Sequence, residues 1–552
     1  MLRRLVVALA VCAFASPSAD LNSALFDRLE FRSIGPASMG GRITDVEGVP
    51  GNTALVYVAT ASGGLFKTTN GGTTWTPIFD HEATISIGSF ALDPHNPDVI
   101  WVGTGEANAR NSVSFGDGIY KSLDGGKTWR NLGLKDTHHI SRVVVDPLNS
   151  NVAHVCALGH NTGPNDERGV FMTTDGGETW KKTLFIDSGH GCADMDLDVT
   201  NPNILYATMW RFERRPWMFT SGSEKTGVFR SIDGGRTWKQ LTNGLAKNWG
   251  RMGVRVAASN PNVVYVIGES NDGTLYRSDD RGEHFRFMTK NPVIVGRGLY
   301  YSHLTIDPTD ENRLYSIGMR LSTSIDGGRT WRGISATTHG DYHTVWVDPK
   351  NPSRIWQGQD GGIAVSYDRA ETWEWIGNIP IGQFYQVFAD NRSPFYFLSG
   401  GLQDNGSWTG PSRTQSGAIL NSDWTNVSGG DGFHVVNHLD HPELYLSESQ
   451  GGGIVRTDLR THEQQDVSPQ PKRNDGGPVG ELKYRFNWNA PIVLSPHDHN
   501  TVYFGSNVVF KSTDFGKTWT AISPDLTTND PESRRASAPY GPRTPPPNTT
   551  AP

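Results

Sequence analysis

Short apolar segments alternate with tight polar turns along most of this chain, a pattern that predicts many small antiparallel sheets. The turns share one motif, Ser/Thr-x-Asp-x-Gly-x-Thr-Trp. Its eight copies are TTNGGTTW (68–75), SLDGGKTW (122–129), TTDGGETW (173–180), SIDGGRTW (231–238), SDDRGEHF (278–285), SIDGGRTW (324–331), SYDRAETW (366–373) and STDFGKTW (512–519). In a turn between the third and fourth strands of a sheet, the Asp carboxylate accepts backbone N–H groups and Gly adopts a positive φ. The box acids are therefore interpreted as structural; they are Asp124, Asp175, Asp233, Asp280, Asp326, Asp368 and Asp514.

The spacing of these boxes predicts propeller blades. Through Asp368 they recur about every 50 residues, which is the period of a four-stranded blade. The gap from Asp368 to Asp514 is close to three periods, so two blades without a box are expected between them. The segments ADNRSPFYFLSGG (389–401) and HLDHPELYLSES (438–449) support those two blades, because they resemble LDPHNPDVIWVGTG (92–105), which precedes a box. The sequence thus predicts an all-β propeller fold with ten blades.

Ten blades can close in two ways. In the favoured arrangement, residues 31–378 form a seven-bladed ring and residues 379–523 form three blades of an incomplete second propeller. Three blades alone leave a sheet edge exposed, through which the chain could associate with a partner. The alternative is a single ten-bladed ring, which has no open edge. The two differ in whether the first blade, about 41–79, packs against 363–376 or against 508–522.

Composition excludes several classes of protein. The 552 residues include 63 Gly and 17 Trp, only 19% are charged, and the formal net charge is −7. A chain without a basic excess lacks the electrostatic footprint that grips phosphate backbones, so we expect no nucleic-acid partner. High Gly and Trp with little charge favours short strands and tight turns over disorder or coiled coil.

The two termini are predicted to lie outside the propeller. Arg3 and Arg4 are followed by an apolar run over 5–15 and a polar change at Ser16, which indicates a secretory signal peptide over 1–19. That run is too short to span a membrane. We therefore expect a secreted or periplasmic protein. A disulfide between Cys156 and Cys192 is possible in such a compartment, and their spacing in the sequence does not decide whether it forms. The Pro-rich tail at 524–552 is expected to be disordered.

Together these motifs resemble the Asp-box (BNR-repeat) propellers, which include sialidases, tandem-propeller xyloglucanases and the sortilin (Vps10) luminal domains. The stretches GTGEANARNS (103–112), ALGHNTGPNDERGVF (157–171), RRPW (214–217) and GGLQDNGSW (400–408) resemble large bacterial exported "BNR-repeat glycosyl hydrolase" or sortilin-like proteins. Members of that group are generally longer, so the resemblance implies that this chain is truncated.

Functional residues are expected on the face opposite the boxes, where loops between second and third strands meet the connections between blades. Aromatic rings beside carboxylates and amides are typical of a sugar-binding groove, although an ordinary polar rim would carry the same residue types. The candidate ligand-binding residues are Trp210, Arg214, Arg215, Trp217, Glu269, Tyr300, Tyr301, Gln359 and Gln403.

Glycoside hydrolysis would require a pair of carboxylates. The xyloglucanase resemblance implies one acid in a first-blade Asp-x-Gly-Gly turn and another in a comparable turn opening the second propeller. Ala61 stands where the first acid is expected, whereas Asp404 retains the second. Asp404 with Glu106 or Asp360 is then the remaining candidate pair, and whether the protein is an enzyme stays open.

Three residues have the alternating pattern of a possible metal site. His339, Asp341 and His343 alternate along a predicted inner strand, which puts them on one face, with Asp431 and His434 expected nearby. Hydrogen-bonded histidines at a propeller rim are the preferred interpretation, and neither a metal nor another cofactor is predicted. Three functions follow: an exported propeller that binds polysaccharide or an exported protein, a xyloglucanase-like glycoside hydrolase, and sortilin-like peptide capture inside a ten-bladed tunnel.

Overall fold

The structure of the protein, a computed structural model, consists of antiparallel sheets. It describes residues 32–35, 39–110, 113–215, 218–335, 339–470 and 482–530. Within these residues the strands form ten sheets, and three short 3₁₀ helices span Lys135–Thr137, Pro292–Val295 and Asn421–Asp423. The all-β fold expected from the repeat is confirmed.

The first seven sheets follow one another along the chain. Sheet 1 contains β1 (Ile43–Gly48), β2 (Val56–Thr60), β3 (Leu65–Thr68) and β4 (Thr76–Pro77), and sheet 2 contains β5 (Ile87–Leu92), β6 (Ile100–Thr104), β7 (Ile119–Ser122) and β8 (Arg130–Asn131). Sheet 3 contains β9 (Ile140–Val145), β10 (Ala153–Ala157), β11 (Gly169–Thr173) and β12 (Lys181–Leu184), and sheet 4 contains β13 (His190–Leu197), β14 (Leu205–Arg215), β15 (Met218–Ser221), β16 (Gly227–Ser231) and β17 (Lys239–Leu241). Sheet 5 contains β18 (Met252–Val256), β19 (Val264–Gly268), β20 (Leu275–Ser278) and β21 (Arg286–Thr289). Sheet 6 contains β22 (His303–Asp307), β23 (Asp310–Ile317), β24 (Ser322–Ser324) and β25 (Arg332–Gly333), and sheet 7 contains β26 (Tyr342–Val347), β27 (Ile355–Gln359), β28 (Gly362–Ser366) and β29 (Glu374–Trp375).

Three further sheets complete the described chain. Sheet 8 contains β30 (Phe384–Ala389), β31 (Phe397–Leu402), β32 (Ser407–Pro411) and β33 (Thr425–Ser428). Sheet 9 contains β34 (Gly432–Asn437), β35 (Leu444–Ser449), β36 (Gly453–Asp458) and β37 (Glu463–Asp466), and sheet 10 contains β38 (Ile492–Leu494), β39 (Val502–Gly505), β40 (Val509–Ser512) and β41 (Thr520–Ala521). Each sheet pairs its strands in chain order, except that β15 forms an additional hairpin with the extended end of β14 in sheet 4.

Burial explains the strand sequences. The second strand of a sheet packs against both neighbouring sheets, so β6, with the sequence IWVGT, is buried at every position. The first strands line a central cavity of about 360 Å³, to which polar side chains such as Thr44, Arg142 and Thr305 contribute. The fourth strands are short and largely exposed. Apolar area is therefore buried mainly between sheets, as in other face-to-face sheet packings.

The box acids accept hydrogen bonds within their own turns. In the second box, the Asp124 carboxylate accepts from the backbone N–H groups of Lys127 and Thr128 at 3.0 and 2.9 Å and from the Thr128 hydroxyl at 2.6 Å. At the start of the same turn, the Ser122 hydroxyl accepts from the backbone N–H of Gly126 at 2.9 Å. Each acid thus braces the reversal of the chain before the fourth strand.

The box tryptophans join neighbouring sheets. Trp129 donates its indole N–H to the carbonyl of Ile78 in the preceding sheet at 2.6 Å, and its ring lies edge-on to Phe79 at 4.9 Å between centroids. Trp180 and Trp519 donate in the same way to the carbonyls of Leu132 and Val467. One motif therefore fixes both the turn and the contact between sheets.

The seven-sheet ring closes. Ile43, Val58 and Phe66 of sheet 1 share a buried cluster with Trp356 and Ile363 of sheet 7. Trp75 of the first box meets Trp356 edge-on at 6.3 Å between ring centroids. The ten-bladed alternative is wrong, because the face of sheet 1 that would receive the segment 508–522 is already covered by sheet 7.

Sheets 8 to 10 continue from the ring as a separate row. Sheets 9 and 10 share a large apolar cluster that includes Leu446 and Phe504. The segment before β1 holds sheet 8 in place: Met39 packs against Leu402 and Trp424. In β30, the first strand of sheet 8, three of six residues are half-buried and three are exposed. The predicted boundaries at 378/379 and 523/524, and association through an exposed edge, stay predictions.

Two terminal predictions lie outside the described residues. These are the signal peptide over 1–19 and the part of the Pro-rich tail beyond residue 530. None of the helices in the described ranges has the length and apolar character needed to cross a bilayer.

Cys156 and Cys192 form a disulfide. It connects β10 of sheet 3 to β13 of sheet 4, with 5.0 Å between the Cα atoms. The spacing of two cysteines along the chain does not decide whether they form a disulfide, because only the packing of adjacent sheets brings them together.

The bracing role of the box acids can be tested at Asp233. Its carboxylate accepts from the Thr237 hydroxyl and two backbone N–H groups, so Asp233→Ala is expected to lower the free energy of unfolding by about 1–2 kcal/mol. Urea denaturation would measure this, with Glu224→Ala, an exposed acid of the same sheet, as the control. Equal stability of the two variants would contradict the structural role.

Candidate functional site

A buried arginine collects three carboxylates at one end of the ring. The Arg42 guanidinium donates to Asp360 at 2.6 and 3.1 Å, to Asp404 at 2.6 Å and to Glu106 at 3.2 Å. The side chains of Arg42, Glu106 and Asp360 are 1–2% exposed, whereas that of Asp404 is 16% exposed. The cluster therefore meets solvent through Asp404.

Loops from four sheets supply these groups. Arg42 directly precedes β1, and Glu106, Asp360 and Asp404 follow the second strands of sheets 2, 7 and 8. These loops leave the same end of their sheets, opposite the boxes, so a ring of blades brings them together. The site consequently lies where the seven-sheet ring meets sheet 8.

Close backbone approach allows Arg42 to enter this position. A Cβ added to Gly40 would lie 2.1 Å from the carbonyl oxygen of Gly361, and one added to Gly41 would lie 2.0 Å from that of Ile381. Any larger side chain at either glycine would push the segment away from sheets 7 and 8.

The acids differ in protonation. Burial alone would raise the pKa of Asp360, but Arg42 and then His343 hold it well below its usual range. Burial, and next the charge of Asp360, raise the pKa of Asp404 to about 7 despite the opposing arginines Arg42 and Arg110. Near neutral pH the cluster thus contains an ionised inner acid and an outer acid that readily exchanges its proton.

A hydrogen-bonded relay supports the inner acid from the ring interior. His343 bonds Asp360 through Nε2 at 2.6 Å, while Asn108 donates its amide to Nδ1 of His343 at 3.0 Å. Because Nδ1 accepts, Nε2 carries the proton that is donated to Asp360. Arg251 in turn donates to the Asn108 oxygen at 3.4 Å. This relay fixes the orientation of the Asp360 carboxylate.

A second set of groups surrounds Asp404. Gln403 donates its side-chain amide to the Asp404 carboxylate at 3.0 Å, and Arg110 lies 3.5 Å from the same oxygen. The backbone N–H of Asp404 donates to Asp431 at 2.9 Å, and φ of Asp404 is 64°. Left-handed backbone at a residue other than glycine is uncommon and clusters at functional sites. The turn thus aims Asp404 into the cluster.

The three candidate acids are brought together, as are several candidate binding residues. Tyr300 stacks beneath two guanidiniums, Arg42 at 5.6 Å and Arg110 at 5.7 Å from its ring centroid, and Gln403 contacts Asp404. Tyr301, fully buried, donates its hydroxyl to Asp341. Their catalytic or binding roles stay predictions.

Other candidates lie elsewhere. Trp210 is fully buried between Phe212 and Phe219, which leaves no ring face on which a sugar could stack. Gln359 is fully buried, Glu269 accepts from Ser221, and Arg215 pairs with Glu213. Trp217 lies outside the described residues. Fewer aromatic rings are therefore available to line the predicted groove than the sequence suggested.

The three alternating residues His339, Asp341 and His343 have different partners. His343 bonds Asp360 and Asn108, Asp341 accepts from Tyr301, and His339 bonds the carbonyl of Gly340. Within the described ranges, no group of three His, Cys, Asp or Glu residues is placed to hold a metal ion.

Sequence reasoning missed Arg42. Its signal was the segment Gly40-Gly41-Arg42 at the start of the first strand, where two glycines permit close backbone contact. Ala61, the position at which the xyloglucanase resemblance implies an acid, is buried and donates its backbone N–H to the carbonyl of Arg42 at 3.1 Å. The position expected to carry that acid thus directly adjoins Arg42.

Known proteins share both the motif and the fold. The BNR-Asp box repeat family matches residues 509–522. Xyloglucanase Xgh74A of Acetivibrio thermocellus is 24% identical over 322 residues, which cover 51% of this chain and 36% of that relative. A xyloglucanase of Hypocrea jecorina is 26% identical over 299 residues, which cover 49% of this chain and 32% of that relative. The chain thus spans about a third of the length of these curated relatives.

A solved structure extends the similarity to most of the chain. The crystal structure of the GH74 enzyme of Niastella koreensis matches with a TM-score of 0.50 at 16% identity, over 87% of this chain and 78% of that one. At this identity the match shows a shared propeller fold.

Removing Arg42 is expected to destabilise the protein strongly. Arg42→Met leaves Glu106 and Asp360 buried without their counter-charge, which typically costs about 3–5 kcal/mol. Urea denaturation would measure the loss. Arg413→Met at an exposed arginine is the control, and equal midpoints for the two variants would contradict the central role of Arg42.

Asp404 predicts a specific pH dependence of stability. Its pKa of about 7 in the folded protein exceeds the ordinary value of 3.8, so between these values the folded state holds a proton that the unfolded chain has lost. The contribution of this group to the free energy of unfolding therefore falls as pH rises from about 4 to 7, and is constant above. Asp404→Asn removes this slope. Parallel stability profiles for the wild type and Asp404→Asn from pH 4 to 8 would contradict the raised pKa.

Proposed function

We propose that this Asp-box β-propeller protein binds polysaccharide on the loop face where the ring meets sheet 8. The observation that carries the proposal is the convergence of Glu106, Asp360 and Asp404 on Arg42, with Asp404 reaching solvent. Carboxylates, amides and guanidiniums held in fixed orientations suit the recognition of sugar hydroxyls. Similarity to xyloglucanases supports a glycan over other ligands.

Binding without cleavage is the principal proposal for two reasons. The Arg42 guanidinium bonds Asp360 and Asp404 simultaneously, so it occupies the space between the two acids that a glycosidic bond would need. The first-blade position at which the xyloglucanase resemblance implies an acid is Ala61. Both features favour a lectin-like site over an intact catalytic pair.

Glycoside hydrolysis is the second candidate, and the state of Asp404 favours it. A carboxyl with pKa about 7 is protonated in much of the protein at neutral pH and can donate to a leaving oxygen. Asp404 would then be the proton donor. The complementary carboxylate would be Asp360 or Glu106, provided that a bound sugar draws Arg42 away from them.

We do not propose peptide capture in a ten-bladed tunnel, because sheet 1 packs against sheet 7. An exported protein as the ligand of the loop face remains an alternative to glycan. Secretion or export to the periplasm belongs to the same proposal, and the Cys156–Cys192 disulfide supports it, since such bonds persist in oxidising compartments.

Calorimetry with soluble xyloglucan, mixed-linkage β-glucan and polygalacturonate tests the proposed function. We expect binding of at least one polysaccharide, together with weaker binding by Asp404→Asn and unchanged binding by Asp98→Asn. Asp98 is an exposed acid in a turn beside the second box, on the opposite face. Absence of binding to every polysaccharide would overturn the proposal.

Release of reducing ends from the bound polysaccharide separates the two candidate functions. A pure binding site releases none with wild type or variant. If the wild type releases reducing ends, Asp404→Asn should abolish release while Asp98→Asn retains it. Release that survives in Asp404→Asn would remove Asp404 from the role of proton donor.

A further inference from the structure

Three further arginines gather beside the cluster around Arg42, and one of them, Arg110, already lies 3.5 Å from the Asp404 carboxylate. Arg110, Arg214 and Arg297 come from sheet 2, sheet 4 and the connection between sheets 5 and 6. Asp404 and Asp431 lie on the other side, in loops of sheets 8 and 9. The opening is therefore polarised, with guanidiniums on the ring side and carboxyls on the side of sheets 8 and 9.

Backbone contacts fix the first two arginines next to each other. The side-chain amide of Asn161 donates to the carbonyl of Arg110 at 3.0 Å, and the backbone N–H of Arg214 donates to the carbonyl of Asn161 at 2.9 Å. Arg214 also lies over the ring of Phe219, 5.3 Å from its centroid, in the β14–β15 hairpin. The extra hairpin of sheet 4 thus brings Arg214 beside Arg110.

Arg297 joins them through an unusual backbone turn. Its φ is 58°, and its carbonyl accepts from the N–H groups of Tyr300 and Tyr301 at 2.8 and 3.1 Å. The side chain is exposed, and its guanidinium lies 5.9 Å from the centroid of the Tyr300 ring. Within the described part of the chain, Arg297 makes no ion pair with an acidic side chain.

Three guanidiniums therefore lie 5.6 to 5.9 Å from the centroid of the Tyr300 ring, those of Arg42, Arg110 and Arg297. Arg42 is compensated by buried carboxylates, whereas Arg297 faces solvent. Burial, and next the charges of Arg110 and Arg297, lower the pKa of Arg214, which fits cations gathered close together. Like charges held together by a rigid backbone favour an anionic ligand.

We propose that the polysaccharide bound at this site is a uronic-acid polymer, whose carboxylate lies against Arg110, Arg214 and Arg297. This inference rests on the proposed glycan-binding function and names its substrate class. A planar carboxylate matches the fork of an arginine guanidinium and accepts paired hydrogen bonds from it. The neighbouring sugar hydroxyls then face Asp404 and Gln403, which accept and donate hydrogen bonds on the other side of the opening.

The ligand pair that tests this proposal shares one sugar backbone and differs at the carboxyl group, which is charged in one polymer and esterified in the other. Polygalacturonate carries a carboxylate on each sugar, and its highly methyl-esterified form keeps the same backbone without that charge. By calorimetry at low salt, we expect the esterified polymer and neutral xyloglucan to bind about tenfold or more weakly than polygalacturonate. Raising the ionic strength should weaken polygalacturonate binding and leave xyloglucan binding unchanged.

The protein variants locate the contact. Arg297→Gln should weaken polygalacturonate binding about three- to tenfold, as expected for the loss of one partly exposed ion pair, and Arg297→Glu should weaken it further. Arg413→Glu makes the same charge change at an exposed arginine at the end of sheet 8 that corresponds to the boxes, and should leave binding unchanged. Equal thermal midpoints for the three variants would show that each is folded.

The outcomes separate this inference from the proposed function. Equal binding of the charged and esterified polymers would overturn the uronate assignment while the glycan-binding function stands. Equal losses in Arg297→Glu and Arg413→Glu, or equal binding of dextran sulfate and polygalacturonate, would overturn a carboxylate site at these arginines. Failure of every polysaccharide to bind would overturn the proposed function, and the inference with it.

Discussion

The sharing of one buried guanidinium among three carboxylates holds the functional face together. Arg42 precedes the first strand of the ring, and its partners belong to sheets 2, 7 and 8. A guanidinium has five donors in a fixed plane, so it can satisfy several acids at once in a way that a lysine ammonium cannot. The same contact joins the closing seam of the ring to the row of sheets 8 to 10. Without this charge, Glu106 and Asp360 would be buried without a cationic partner, although Asp360 would keep its hydrogen bond from His343.

The two faces of the propeller have different tasks. On one face, the box acids make local hydrogen bonds within their turns, and box tryptophans such as Trp129 contact the preceding sheet. On the other, the acids of the site stand in turns after the second strands and bond across sheets. Residues of the same chemical type, such as Asp124 and Asp360, therefore act at very different ranges. Regular packing on the box face leaves the loop face free to vary, which is the usual arrangement for function on a rigid scaffold.

Electrostatics on the loop face is graded from the interior to the opening. Asp360 is fixed in its ionised form by Arg42 and His343, and its charge then helps to raise the pKa of Asp404 to about 7. The charge of Asp360 thus brings the pKa of Asp404 into the range where Asp404 can exchange a proton or contact a hydroxyl group. Beyond Asp404, the arginines at the rim reverse the sign of the field on one side. A ligand with both hydroxyl groups and a negative charge satisfies both parts of this surface.

The sequence by itself determined the sheets, their turns and the structural role of the repeated acids. A box recurring at the period of one blade is a local signal, because each acid bonds within five residues of itself, and such signals can be read along the chain. It also singled out Glu106, Asp360 and Asp404 and placed them on the loop face. The choice between seven and ten blades was decided only by the tertiary structure, because closure depends on how the faces of residues some 300 positions apart fit. For the same reason, the partners of Arg42 and the Cys156–Cys192 disulfide became visible only in the fold, because those partners come from other sheets and no local pattern encodes the distances.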